Sequence, residues 1–137
     1  MMGAAPHILV VDDDRLTVKL IEQLLQRHGY VVSTAANGAE GLEMARTLQP
    51  DLVILDLMMP VIDGYEVYSR LKGDAQTAGI GILVLSAIAG VNLLARRGAA
   101  GGRSDQLLEV DINATNVLGK PIKTKELLNR VASLLPH

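Results

Sequence analysis

Five polar side chains of this sequence stand directly after short apolar runs, or one residue beyond them. They are Asp12, Asp13, Asp56, Ser86 and Lys120. An aspartate can attack phosphorus as a nucleophile, and carboxylate oxygens are preferred ligands of Mg²⁺. A lysine and a hydroxyl can stabilise charge on a transferring phosphoryl group. Brought together, these residue types would form a site at which Asp56 becomes an aspartyl phosphate.

The apolar runs before these side chains are typical of strands buried on both faces of a sheet. Between the runs, apolar residues recur at helical spacing, so strands and helices alternate along the chain. This alternation predicts an α/β fold with a parallel sheet, helices on both faces and right-handed crossovers. Because parallel strands end at the same edge of a sheet, we expect the five polar side chains to converge there.

The same patterns place the individual elements. Strands are predicted at 8–11, 31–35, 52–55, 82–85 and 116–118. Helices are predicted at 15–28, 39–48, 65–72 and 124–135, with one or two helical turns at 106–110. Asp13 or Asp14 is expected to cap the first helix and Thr124 the last, and Asn37 with Gly38 predicts a turn. The segment 88–105 is rich in Gly, Ala and Arg and is predicted to be a partly ordered loop or, at 91–97, a loose helix.

The carboxylates of Asp12, Asp13 and Asp56 would repel one another if they share one site. A hard divalent cation removes this conflict, and a site with few carboxylates and open water positions suits Mg²⁺. Lys120 would add a fixed positive charge, and Ser86 a hydroxyl donor. The sequence therefore predicts Mg²⁺ as the cofactor.

Composition restricts the classes of function. The 137 residues are enough for one domain, and 49% of them are apolar. The net charge is −2, so the chain lacks the excess of basic residues that is typical of proteins that bind nucleic acid. The chain has no cysteine, no run of the ~20 apolar residues that a membrane span needs, and no signal-peptide pattern at residues 1–6. We therefore expect a single cytoplasmic domain without direct contact with nucleic acid or membrane.

The chain resembles the receiver domain of two-component response regulators over residues 7–135. The matching stretches are ILVVDDD (8–14), PDLVILDLMMP (50–60) with Asp63-Gly64, ILVLSA (82–87) and Lys120-Pro121. The resemblance implies one receiver domain over residues 1–137. It also implies a flavodoxin-like doubly wound sheet of five strands in the order 2-1-3-4-5.

The resemblance further implies how the site works. Asp56 would be phosphorylated by a sensor histidine kinase or a histidine phosphotransfer protein, and the chain would catalyse at most its own phosphorylation and dephosphorylation. Asp12, Asp13, Asp56 and the backbone carbonyl of Met58 would hold Mg²⁺. Ser86 and Lys120 would sense the phosphoryl group and repack the surface formed by the last strand and its flanking helices. That surface would bind a downstream protein or output domain. Family members often dimerise through the same surface, so the resemblance also allows a homodimer.

Two features depart from the family pattern. The stretch between Ser86 and Lys120 is about a dozen residues longer than usual, by alignment with the family's motifs. The excess lies at 90–105 and is predicted to be a solvated loop, with a partner site at its arginines as the alternative. Val117 stands where the family usually places a rotating aromatic residue, and the chain has no Phe. We expect Asp56 to be phosphorylated in spite of this change. The change leaves undecided whether phosphorylation is coupled to the output surface in the way that the aromatic residue provides in the family.

Two other functions remain as alternatives. A receiver-like module that binds a partner without switching fits the missing aromatic residue and the insertion. A phosphatase of the haloacid dehalogenase type would also use an aspartate nucleophile with Mg²⁺. It needs a further acidic pair after the lysine, however, and the tail offers only Glu126. A nucleotide- or flavin-binding domain is disfavoured, because no Gly-rich phosphate loop follows the first strand.

Overall fold

The computed structural model describes residues 5–56, 64–86, 117–119 and 121–136. Within these ranges the strands are β1 His7–Val11, β2 Val31–Ala35, β3 Leu52–Asp56, β4 Gly81–Ser86 and β5 Val117–Gly119. The helices are α1 Arg15–Arg27, α2 Gly38–Leu48, α3 Gly64–Gly73 and α4 Thr124–Leu134. The predicted insertion at 90–105, the loose helix at 91–97 and the helical turns at 106–110 lie outside the described residues. No helix in the described ranges is long and apolar enough to cross a membrane.

The five strands form one parallel sheet in the order β2-β1-β3-β4-β5, which confirms the predicted fold. Successive side chains of a strand point to opposite faces, so the core has two halves. On one face, residues such as Leu9, Val53 and Leu55 pack with α2 and α3. On the other, Ile8 and Val10 are among those that pack with α1 and α4. Apolar residues on both faces explain why the strands are continuous apolar runs.

Helix α1 begins at the cap residue Asp14, whose Oδ1 accepts a hydrogen bond from the backbone N–H of Leu16 at 3.2 Å. It ends before Gly29, which has a φ of +89°, a conformation that glycine adopts without strain. Of its apolar residues at helical spacing, Ile21 and Leu25 are buried. Leu16 and Leu20 are 70% and 61% exposed. The pattern thus predicts the helix correctly, but two of its leucines face solvent.

The predictions for two other helix starts were wrong. Asn37 does not sit in a separate turn: its side chain accepts the backbone N–H of Glu40 at 2.8 Å and caps α2, which begins at Gly38. The Glu40 carboxylate in turn accepts the N–H of Ala36, the residue before the cap, at 2.7 Å. Thr124 is already the first residue of α4, so the cap position falls on Lys123, which makes no side-chain cap hydrogen bond.

Helix α2 lies unusually close to β1 at one point. A Cβ atom built on Gly41 would stand 2.8 Å from both Cγ atoms of Val11. Real Cβ atoms essentially never approach that closely, so only glycine fits at position 41 without movement of β1 or α2. Val11 is the last residue of β1 and precedes Asp12, so this contact supports the strand end that leads into the predicted site.

An ion pair joins α2 to the turn before β4. Asp74 accepts the backbone N–H of Gln76 at 2.9 Å and the Nε of Arg46 at 3.0 Å. The hydrogen bond from Gln76, followed by that from Arg46, holds the pKa of Asp74 below its ordinary value. Because the pair is exposed, it contributes little to the free energy of unfolding.

Candidate functional site

The pairing of β1 with β3 brings two aspartates together at the carboxyl edge of the sheet. Val11 is opposite Leu55 in the parallel register, so the next residues along the two strands are Asp12, directly after β1, and Asp56, the last residue of β3. Both are buried, at 1% and 2% exposure. Asp13 is exposed. Even so, one carboxylate oxygen from each of the three aspartates lies within 4.8 Å of the corresponding oxygens of the other two. The predicted convergence of these three side chains is confirmed in geometry.

The three consecutive aspartates after β1 have different environments. Asp12 accepts the backbone N–H of Asp14 through Oδ1 at 2.9 Å, and its own N–H donates to the carbonyl of Ala35 at 3.2 Å. Asp14 caps α1 and accepts the hydroxyl of Thr17. Asp13 lies between them and adds its carboxylate to the cluster. These bonds hold the turn so that Asp12 and Asp13 stay at the end of β1.

The cluster has the composition of a site for a hard divalent cation. It offers oxygen donors only, and three carboxylates at this spacing repel one another until a cation offsets their charge. Mg²⁺ takes one or a few protein carboxylates and leaves its other positions to water and phosphate oxygens. Asp12, Asp13 and Asp56 fit this description. Met58, the fourth predicted ligand, lies outside the described residues.

Strand β4 adds a hydroxyl at the same edge. Asp56 is opposite Leu85 in the register, so Ser86 follows one residue further along β4, and its side chain is fully buried. Ser86 in turn is paired with Gly119, the last residue of β5. Lys120 is the next residue of the chain and lies outside the described ranges. The ends of four strands of the sheet therefore carry or lead directly to the predicted site residues.

Sequence reasoning missed one polar contact of β5. Arg130, on α4, donates from Nη1 to the backbone carbonyl of Val117 at 2.9 Å. An arginine on an amphipathic helix carries no sequence signal for such a contact, because solvated arginines at the same spacing look identical.

Sequence reasoning also missed a groove of about 520 Å³ between α1 and the start of α4. Leu20, Ile21, Ile122 and Leu127 are among its lining residues. None of the three clustered carboxylates lines it, so the groove is separate from the acidic cluster.

Comparisons with known proteins agree with this geometry. The family model for the response regulator receiver domain matches residues 8–132. The chain is 38% identical over 130 residues to the DNA-binding dual master transcriptional regulator RpaA of Synechocystis, covering 95% of this chain and 49% of that protein. It is 38% identical over 128 residues to the response regulator PleD of Caulobacter vibrioides, covering 93% of this chain and 26% of that protein. The chain thus spans about half or less of the length of these relatives.

Solved structures agree as well. The chemotaxis protein CheY4 of Vibrio cholerae superposes with a TM-score of 0.77 at 30% identity, covering 96% of this chain and 100% of that chain. A response regulator structure from Chloroflexus aurantiacus gives a TM-score of 0.76 at 30% identity, covering 95% of this chain and 97% of that chain.

Proposed function

The chain belongs to the receiver domain family of response regulators, and from this premise we propose that Asp56 is its phosphoryl acceptor. The observation that supports the proposal most directly is the acidic cluster. Asp56 ends the central strand β3, is 2% exposed, and shares a 4.8 Å group of carboxylate oxygens with Asp12 and Asp13. Residues 1–137 act as one receiver domain in this proposal.

The proposed reaction is a transfer between a phosphohistidine and Asp56. A carboxylate oxygen of Asp56 forms a bond to phosphorus while the phosphorus–nitrogen bond of the donor breaks. The electron pair of the broken bond stays on the imidazole nitrogen, which takes up a proton. Mg²⁺, when bound, supplies positive charge beside the phosphoryl oxygens. Asp12, Asp13, Asp56 and the backbone carbonyl of Met58 would hold the ion, Ser86 would donate to one phosphoryl oxygen, and Lys120 would pair with another.

The proposed partners follow from the reaction. A sensor histidine kinase or histidine phosphotransfer protein supplies the phosphoryl group, in the cytoplasm. Helix α1 starts two residues after Asp13, and its exposed Leu16 and Leu20 offer apolar surface to such a protein.

The receiver then acts on a downstream protein or an output domain, through a monomer or a homodimer. Several relatives are named as transcriptional regulators. For this domain we retain the prediction of no direct contact with nucleic acid.

Incubation with acetyl phosphate tests the proposal. We expect intact-protein mass spectrometry to show one added phosphoryl group in the presence of Mg²⁺ and none in EDTA, because the three carboxylates would repel the donor without the cation. No adduct from any donor, with Mg²⁺ binding shown by calorimetry, would favour a binding module that does not switch. Steady release of inorganic phosphate from many phosphate esters would support a phosphatase.

Ser86→Ala is expected to remain phosphorylatable but to react more slowly. The lost hydroxyl would donate to a phosphoryl oxygen in the transition state, and removal of one such donor costs on the order of a hundredfold in rate. The rate of adduct formation at saturating Mg²⁺ measures the effect, and Ser86→Thr, which retains the hydroxyl, is the matched control. Equal rates for the Ala and Thr variants would show that the hydroxyl of Ser86 takes no part.

A further inference from the structure

Strand β5 stands at one edge of the described sheet. It has three residues, Val117–Gly119, and in the described part of the sheet it pairs with β4 alone. A strand paired on one side leaves part of its backbone without ladder partners. Contacts from outside the sheet therefore help to hold β5 in place.

Arg130 makes one of these contacts. Its guanidinium Nη1 donates to the Val117 carbonyl at 2.9 Å, and the side chain is partly buried. The helix that carries it is anchored in the core by the buried residues Leu127 and Val131, on either side of Arg130 in the sequence. A hydrogen bond from a charged donor is stronger than one from a neutral donor. The guanidinium thus ties a helix that is packed in the core to the edge strand.

We propose that Arg130 is a positioning residue for phosphoryl transfer at Asp56. By anchoring β5 it fixes the strand from which the chain passes directly to Lys120, three residues after Val117. This inference rests on the proposed function and extends it to a residue on α4. A displacement of about 1 Å in a reacting group can cost a hundredfold in rate, so a loosened β5 should slow the reaction.

The effect should be confined to the lysine side of the site. Asp12 and Asp13 follow β1 and Asp56 ends β3, and β4 lies between these strands and β5. Loss of the Arg130 contact should therefore change the rate of phosphorylation while leaving the affinity for Mg²⁺ unchanged. A residue that only stabilised the fold would change both or neither.

The experiment compares Arg130→Met, which retains an apolar stem but no donor, with Arg130→Lys, which retains one charged donor. Arg46→Met is the matched control, because it removes a guanidinium from the exposed pair with Asp74. Three quantities are measured for each variant. They are the maximal rate of adduct formation with acetyl phosphate, the Kd for Mg²⁺ by calorimetry, and hydrogen exchange of peptides from β1 and β5 by mass spectrometry.

We expect Arg130→Met to lower the maximal rate about tenfold, with the acetyl phosphate concentration at half-saturation and the Kd for Mg²⁺ unchanged within about twofold. Exchange should accelerate in β5 and not in β1. Arg130→Lys should recover part of the rate, and Arg46→Met should match the parent chain. If Arg130→Met does not fold, Arg130→Gln replaces it under the same criteria.

If Arg130→Met forms the adduct at the same maximal rate as the parent chain, the inference is overturned and the proposed function remains intact. Loss of Mg²⁺ affinity in step with the rate, or faster exchange throughout the sheet, would also overturn it and leave Arg130 a general stabilising residue. A parent chain that reacts with no phosphodonor would overturn the proposed function, and the positioning role with it.

Discussion

Asp56→Asn should leave the chain folded and abolish phosphoryl acceptance. The amide matches the carboxylate in shape but is not a nucleophile, so the rate should fall by about a thousandfold or more, the scale seen when a catalytic nucleophile is removed. The fold should be at least as stable as that of the parent, because one of three clustered negative charges is gone. Mass spectrometry after incubation with acetyl phosphate and Mg²⁺ measures the first effect, and urea unfolding the second.

The strand β3 offers a matched control for this substitution. Asp51 precedes the strand at its opposite end, where its carboxylate accepts the backbone N–H of His7 at 2.8 Å. Asp51→Asn should react at the parental rate, since it changes the same chemical group away from the cluster. An adduct on Asp56→Asn as abundant as on the parent would assign acceptance to another residue, and peptide mapping would then examine Asp12 and Asp13 first.

Gly41→Ala should lower the free energy of unfolding by about 1–3 kcal/mol, the usual cost of overpacking a core. The new Cβ would meet both Cγ atoms of Val11 at 2.8 Å, and a β-branched side chain has little freedom to rotate away. This cost should exceed the gain of up to about 1 kcal/mol that alanine brings to a helix. The affinity for Mg²⁺ should fall as well, because Val11 precedes Asp12. Urea unfolding and calorimetry measure the two effects.

A double-mutant cycle with Val11→Ala isolates the contact. The double variant should be more stable than the sum of the two single changes predicts, by about 1 kcal/mol or more, because the smaller side chain makes room for the new methyl group. Gly73→Ala is the control: a Cβ there would have nothing within 4 Å. If Gly41→Ala and Gly73→Ala unfold at the same urea concentration, the close approach of α2 to β1 does not limit the side chain at position 41.

The fold was predictable because its signal is repeated along the chain. Strands buried on both faces must be continuous apolar runs, and the polar residue that ends each run marks the same edge of the sheet. Asp12, Asp13, Asp56 and Ser86 were found in this way. Strand limits differ from the predicted ones by about one residue at an end, as at His7 and Gly119.

Features that depend on tertiary geometry were not predictable in the same way. Three consecutive aspartates are chemically alike, so only the backbone shows that Asp14 caps α1 while Asp12 and Asp13 join the cluster. The spacing of Leu16 and Leu20 predicts the helix but does not show which of its leucines the core covers.

Contacts between elements were not predictable either. The hydrogen bond from Arg130 joins residues 13 positions apart that share no sequence pattern. The close approach at Gly41 likewise depends on how α2 docks.

The separation of the clustered aspartates along the chain would link the proposed metal binding to folding. Asp12 and Asp56 are 44 positions apart (56 − 12) and come together only when β1 and β3 pair. An unfolded chain therefore offers no such cluster, and a cation that binds only the native state stabilises it by mass action, by about 2.7 kcal/mol at a hundred times its Kd. The free Mg²⁺ concentration would thus add to the stability of this domain as well as to its readiness to react.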